Sequence, residues 1–165
     1  MAIRIGLGLG ALLVLALFVG TRDLPSDEAG RPEITVAFPA TAEPGSVETA
    51  TFTITNPGPD IRTLFISFAR VGPATGGGEI PVPIVDMGTR HENPAIVDVD
   101  PEPEATSIEG VVFAFGPLPT DGSMTVSFDL RMPADEGPAA NSVTAYAGEE
   151  PERARGVRLE TEVGG

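Results

Sequence analysis

The densest set of side chains that could bind a ligand is an acidic segment, VDVDPEPEA, in the middle of the chain. Its carboxylates recur at every second position: Asp98, Asp100, Glu102 and Glu104. In an extended chain this spacing puts all four side chains on one side, and a hard cation with oxygen ligands such as Ca²⁺ would relieve their repulsion. The other interpretation is an acidic strand edge, guarded by proline against edge-to-edge pairing. We favour the strand edge, because the segment lacks a D-x-[DN]-x-[DN]-G loop, and keep calcium binding by these four carboxylates as the alternative.

Catalytic chemistry has little support in the residues. His91 is the only histidine, and it lies between Arg90 and Glu92 in a stretch typical of a solvated loop. No serine lies in a G-x-S-x-G elbow. The glycine run at 76–78 cannot form a P-loop, because the chain contains no lysine. We therefore predict no enzyme activity, and no cofactor other than calcium at the acidic segment.

Composition narrows the classes of partner. The chain has 24 acidic against 10 basic residues, a net charge of −14 at pH 7, which disfavours binding to phosphate backbones and hence to nucleic acid. It has no cysteine, which excludes disulfides, thiolate metal sites and a cysteine nucleophile. With 20 glycines and 17 prolines, the sequence favours many short strands joined by turns over long helices.

The first 22 residues form the one long apolar run, MAIRIGLGLGALLVLALFVGTR. As a helix it could span a membrane as a signal anchor, or it could be a cleaved signal peptide. We favour the anchor, because Phe18 and Gly20 occupy the positions where cleavage needs two small residues. Arg4 weakly places the amino end in the cytoplasm. Residues 23–32 then read as a polar tether, and residues 33–165 as a domain outside the cytoplasm of a single-pass protein in the cell membrane.

The clearest pattern in that domain is a strand at its centre, which follows a turn at Asp121 and Gly122. Its apolar residues alternate with polar ones, the period of a half-buried strand: Met124, Val126, Phe128, Leu130 and Met132. Residues 47–55 show the same period, and NPGPD at 56–60 is a strong turn.

Further strands are predicted from shorter runs at 34–38, 62–71, 94–100, 108–115, 141–147 and 156–163. In 62–71 the run Leu64-Phe65-Ile66 indicates burial on both faces or a bulge. In 94–100 the pattern places Ala95, Val97 and Val99 on one face and Ile96, Asp98 and Asp100 on the other. The prolines in 80–85 allow an edge strand at best. Seven to nine strands with such turns predict an all-β, antiparallel two-sheet sandwich.

Three stretches resemble, in order, motifs of immunoglobulin-like repeats in bacterial and archaeal surface proteins, the CARDB-like conserved-repeat domains. They are TFTITNPGPD at 51–60, LPTDGSMTVSFDLRMP at 118–133 and NSVTAYA at 141–147. The resemblance implies an immunoglobulin-like β-sandwich outside the cell and no enzyme activity. Residues 72–110 look longer than the middle of such repeats, and we expect any individual function there.

The sequence thus predicts a membrane-tethered, extracytoplasmic immunoglobulin-like module with a structural or protein-binding role. The alternative is a calcium- or carbohydrate-binding sandwich of an exported protein. The expected partners are the membrane, through the N-terminal helix, and a protein that the sequence does not identify.

Overall fold

Alternating apolar side chains build two β-sheets that pack face to face. The computed structural model describes residues 30–69 and 80–165. The strands there are β1 (Glu33–Ala37), β2 (Thr41–Ala42), β3 (Val47–Thr55), β4 (Leu64–Ala69), β5 (Val82–Pro83), β6 (Ile96–Asp100), β7 (Ala105–Thr106), β8 (Val112–Phe115), β9 (Ser123–Arg131), β10 (Gly137–Ala147) and β11 (Arg155–Val163). A single turn of 3-10 helix, Pro151–Arg153, precedes β11. The all-β prediction is confirmed for this part of the chain.

The first sheet has the order β1-β3-β9-β6, with antiparallel neighbours throughout. Strands β3 and β9 pair along their full lengths, from Val47 opposite Arg131 to Thr55 opposite Ser123. Strand β3 was predicted with these bounds, and the alternation predicted for β9 from Met124 to Met132 is confirmed, because alternate residues of both strands are fully buried at the centre of the sheet. Strand β6 lies at one edge of this sheet, and β1 lies at the other.

The second sheet has the order β2-β11-β10-β4-β8-β7, and β5 pairs with β10 beyond the end of β4. Its main pairs are antiparallel, whereas the two-residue strands β2 and β5 run parallel to β11 and β10. The order β1-β3-β9-β6 facing β11-β10-β4 is that of the two sheets of an immunoglobulin domain. The hairpin β7–β8 extends the second sheet beyond β4.

Phenylalanine rings meet edge to face where the two sheets pack. The ring of Phe128 on β9 has its centroid 5.0 Å from that of Phe68, 5.1 Å from that of Phe113 and 5.7 Å from that of Phe52. Each such pair adds about 0.5–1.5 kcal/mol to the effect of area burial. The four rings come from β3, β4, β8 and β9, so they join both sheets.

The number of strands is higher than predicted. The described residues contain eleven strands rather than seven to nine, because β2, β5 and β7 each span two residues and are too short to produce a sequence period. The predicted strand at 108–115 was too long at its start. Ile108 is 66% exposed, and the backbone N–H of Gly110 donates to the carbonyl of Ser107 in a turn that delays β8 until Val112.

Two predicted strand faces were also wrong. In β4 only alternate residues are fully buried, and Phe65 points to the outer face, where its ring stacks on that of Tyr146 at 5.4 Å. In β6 a register shift between Ile96 and Asp98 places Ile96 and Val99 against the core and leaves Val97 48% exposed. A bulge of this kind changes the face on which the following residues lie.

The predicted membrane helix at 1–22 and most of the tether at 23–32 lie outside the described residues. Within residues 30–69 and 80–165, no helix is long and apolar enough to cross a membrane. The predicted tether overlaps the described residues at 30–32, and Gly30 and Pro32 in this overlap are buried in the domain.

Candidate functional site

A groove of about 450 Å³ runs beside β6, on the side of the sandwich where the edges of the two sheets face each other. We call it the β6 groove. It is lined by His91, Glu92, Asn93, Ile96, Val97, Asp98, Val99, Glu102, Pro103, Thr106, Gly110 and Phe113. All of these except Phe113 come from the segment 72–110, where function was expected from sequence.

One end of the groove is a tight two-residue turn. Thr89 and Glu92 exchange backbone hydrogen bonds of 2.9 and 3.0 Å, and the residues between them, Arg90 and His91, have φ values of 57° and 66°. Two positive φ values define the type I′ turn, which favours asparagine and glycine. Larger side chains in this conformation cost roughly 1–3 kcal/mol each, so the surrounding structure must hold the turn in place.

The bonds that hold this turn come from the segment between β7 and β8 and from the end of β7. His91 donates its backbone N–H to the Ile108 carbonyl at 2.9 Å, and its ring Nδ1 lies 2.8 Å from the carbonyl oxygen of Thr106. Gly110, with a φ of 63°, lies so close to the turn that an added Cβ would be 2.7 Å from the carbonyl carbon of Glu92. The position therefore requires glycine. His91 is exposed, as predicted for a solvated loop residue.

Asn93 fixes the chain where it leaves the turn and enters β6. Its Oδ1 accepts from the backbone N–H of Ala95 at 3.1 Å, and its Nδ2 donates to the carbonyl of Asp86. The side chain is buried, so these bonds satisfy polar atoms that water does not reach. The sequence prediction missed this role, although asparagine before proline is a recognised turn signal.

The structure does not gather the four calcium candidates into one group. Asp98 and Asp100 lie on β6, Glu102 and Glu104 lie on the connection to β7, and all four are exposed. Only Asp98 and Glu102 line the groove. Among the residues described, no three histidine, aspartate or glutamate side chains are placed to hold one metal ion. Calcium binding by this segment stays a prediction.

Asp98 instead faces another carboxylate across the sheet. Its partner in the register of β6 and β9 is Asp129, whose Oδ1 accepts a 2.6 Å hydrogen bond from the Thr49 hydroxyl. Like charges in directly opposed positions destabilise a strand pair. Asp98 and Asp100 of the acidic segment therefore lie on an edge strand of the described sheet, with an unfavourable charge contact between Asp98 and its neighbour.

Two shifted pKa values belong to groups outside the groove. The Thr120 backbone N–H and then its hydroxyl donate to the Asp60 carboxylate at 2.7 and 3.0 Å, and both bonds lower the pKa of Asp60. Burial raises the pKa of Tyr146. Asp60 closes the predicted turn at 56–60, and Tyr146 is the residue stacked on Phe65.

The strand order defines the class of this protein as an immunoglobulin-like β-sandwich. No family model matches the chain. No curated protein matches it either.

Solved structures that match include a CARDB domain from Pyrococcus furiosus in complex with di-metal ions. It is 12% identical over 84% of this chain and 94% of that chain, with a TM-score of 0.43. They also include the ASH / PapD-like domain 7 of human CEP192, which is 16% identical over 82% of this chain and 84% of that chain, with a TM-score of 0.40.

A family 123 glycoside hydrolase from Clostridium perfringens matches at 8% identity with a TM-score of 0.43, but this chain spans only 27% of that chain. The CARDB domain belongs to the family that the sequence resembles, and it and the PapD-like domain are immunoglobulin-like folds. At these identities the likeness concerns the fold alone.

Proposed function

We propose that this protein is a membrane-tethered, extracytoplasmic immunoglobulin-like module with a protein-binding or structural role and no catalytic activity. The observation that supports a binding role is the β6 groove, which opens at the edge of the sandwich and is lined by apolar, acidic and backbone groups. The apolar run at 1–22 supports the tether, as does the short polar stretch that separates it from the domain.

A rigid frame around the groove also suits a binding module. The turn from Thr89 to Glu92 at one end of the groove is held by backbone hydrogen bonds, and Asn93 fixes the chain that follows it. Phe113, which lines the groove, belongs to a core with fully buried phenylalanines. Sites of this kind, on loops fixed by a scaffold, lose little entropy when a partner binds.

The topology and the binding role can be tested on intact cells. A photo-crosslinking residue is introduced at exposed positions on different faces, one at a time: Val97 on β6, Thr53 on β3, Val82 on β5 and Glu162 on β11. External protease should degrade the domain, and irradiation should yield a partner adduct from at least one position. A domain protected from external protease would refute the topology. Adducts from none of the four positions would refute the binding role.

A second candidate is a cation-binding module, because Asp98 and Glu102 line the same groove. Oxygen ligands from carboxylates suit Ca²⁺. Calorimetric titration should then show heat at or below millimolar calcium, and this heat should disappear in an Asp98→Asn/Glu102→Gln variant. The same heat in wild type and variant would remove this candidate.

A further inference from the structure

We propose that the β6 groove receives an extended, basic segment of a partner protein, which lies along β6 and places lysine or arginine side chains against the acidic wall. This inference rests on the proposed binding role and specifies its surface and the chemistry of its partner. The argument has three parts: the direction of the groove, its floor and its charge.

The groove follows the direction of β6. Four consecutive residues of the strand, Ile96 to Val99, line it, so an occupant would run along the strand rather than across it. In the described sheet β6 has a single neighbour, β9. An edge strand carries N–H and C=O groups that its one neighbour does not use, and an extended peptide can pair with them.

The floor of the groove belongs to the hydrophobic core. Phe113 is buried in the core, and Ile96 and Val99 pack against it from β6. On the opposite side of the sandwich, β1 packs beside β11. An apolar side chain that enters the β6 groove would thus meet core residues, and Val97 adds an exposed apolar contact at the rim.

The negative charge of the groove favours a positively charged partner segment. Among residues 30–69 and 80–165, three carboxylates line it, Glu92, Asp98 and Glu102; no arginine of this part of the chain lines it, and the three carboxylates form no ion pair there. A second copy of this chain, with its net charge of −14, would be repelled. The acidic edge disfavours pairing with acidic strands and favours a basic one.

The direct test measures binding of a labelled peptide of alternating lysine and valine to the full 165-residue chain in a zwitterionic detergent. Fluorescence anisotropy gives the Kd. We expect saturable binding that weakens with salt, and a loss of about tenfold in the Asp98→Asn/Glu102→Gln variant, since two exposed ion pairs are removed.

A matched variant and a matched peptide separate this binding from general attraction to an acidic protein. Asp135→Asn/Glu136→Gln removes the same charge from exposed residues outside the groove, and its Kd should stay within about twofold of the wild-type value. A peptide with its lysines and valines in two separate blocks should bind clearly more weakly, because it cannot alternate along the strand.

Three outcomes would overturn the inference: no binding of the alternating peptide, equal losses in the two double variants, or equal binding of the two peptides. Thermal unfolding of both variants by circular dichroism verifies that they are folded. If a partner is crosslinked on cells from another face while the alternating peptide fails to bind, this inference fails and the proposed function stands.

Discussion

Replacement of Asn56 by alanine should destabilise the domain more than any exposed substitution. Asn56 is fully buried at the turn that follows β3. The two hydrogens of its Nδ2 are shared among three carbonyls, those of Pro59 at 2.8 Å, Leu118 at 3.1 Å and Pro119 at 3.2 Å. Its Oδ1 accepts from the backbone N–H of Gly58 at 3.2 Å. One amide therefore joins its own turn to the segment that leads into β9.

The magnitude follows from the groups that lose a partner. The bond to Leu118 is buried, but the Leu118 carbonyl still accepts from the Ile61 backbone N–H at 2.9 Å, so its loss costs about 0.5–1.5 kcal/mol. The other three bonds are partly buried and contribute roughly 0.5–1 kcal/mol each, because water can replace part of them. The expected loss is about 2–4.5 kcal/mol, which lowers the melting temperature by roughly 6–18 °C in a domain of this size.

Chemical denaturation followed by far-ultraviolet circular dichroism measures this loss. Asn56→Asp keeps the size of the side chain but directs a carboxylate at three carbonyl oxygens, so at pH 7 it should cost more than alanine does. Acidification should reduce the excess, because a protonated carboxyl can donate. Arg31→Ala, an exposed change beside the same turn, is the control and should stay within about 0.5 kcal/mol of wild type. An Asn56→Ala loss no larger than that of the control would refute the reasoning.

Three further predictions concern exposed charges and the strained turn. Thr120 lowers the pKa of Asp60, so the stability that Asp60 contributes is fully present above the usual pKa of 3.8 and is lost as pH falls through the lowered pKa. The difference in unfolding free energy between wild type and Asp60→Asn should therefore vanish in acid. A difference that grows in acid would contradict this. Arg90→Asn should stabilise the protein by about 0.5–1 kcal/mol in urea denaturation, because asparagine tolerates the positive φ of this turn. Arg90→Ala removes the same charge but disfavours positive φ, so it should not stabilise the protein. Equal effects of the two variants would assign the gain to charge instead. Asp98→Asn should stabilise by about 0.2–1 kcal/mol at low salt by relieving the contact with Asp129, and a gain unchanged at high salt would exclude this cause.

Strands with a single buried face were predictable from the sequence. In β3 and β9 the apolar residues alternate without interruption, and the pairing found between these two strands keeps each set on one face. The turn at 56–60 was equally predictable, because its prolines and glycine restrict the backbone locally. Period and turn chemistry are local properties, so they can be read without knowledge of partners.

The features that were misread depend on distant neighbours. Phe65 looks like a second buried face of β4, but its apolar ring is covered by Tyr146 from a strand far along the chain. The bulge in β6 arises in its pairing with β9, and no residue in its sequence marks it. The β6 groove is not predictable for the same reason, since its walls come from a turn, two strand edges and Phe113.

The three buried asparagines are structural residues that the sequence analysis could have identified and did not. The chain has three asparagines, and each is buried and bonded to backbone groups of a separate loop. Asn141 faces the core from β10, accepts from Val85 N–H at 2.8 Å and donates to the carbonyls of Ala69 and Val85 at 2.9 Å. A polar residue at an inward position of an apolar strand needs such partners, which predicts a buried link but not the loop that it joins.

The burial of Gly30 against the Asn56 turn determines how the domain carries mechanical load. An added Cβ on Gly30 would lie 2.0 Å from Asn56 Oδ1, so the chain enters the domain in direct contact with this amide. Tension applied from the amino-terminal side of Gly30 therefore reaches the turn before it can peel β1 from the sheet edge. The amide passes part of that force to the Leu118 and Pro119 carbonyls, and so to the segment that leads into the central strand β9. The amino-terminal end of the described domain is thus reinforced across two parts of the sheet.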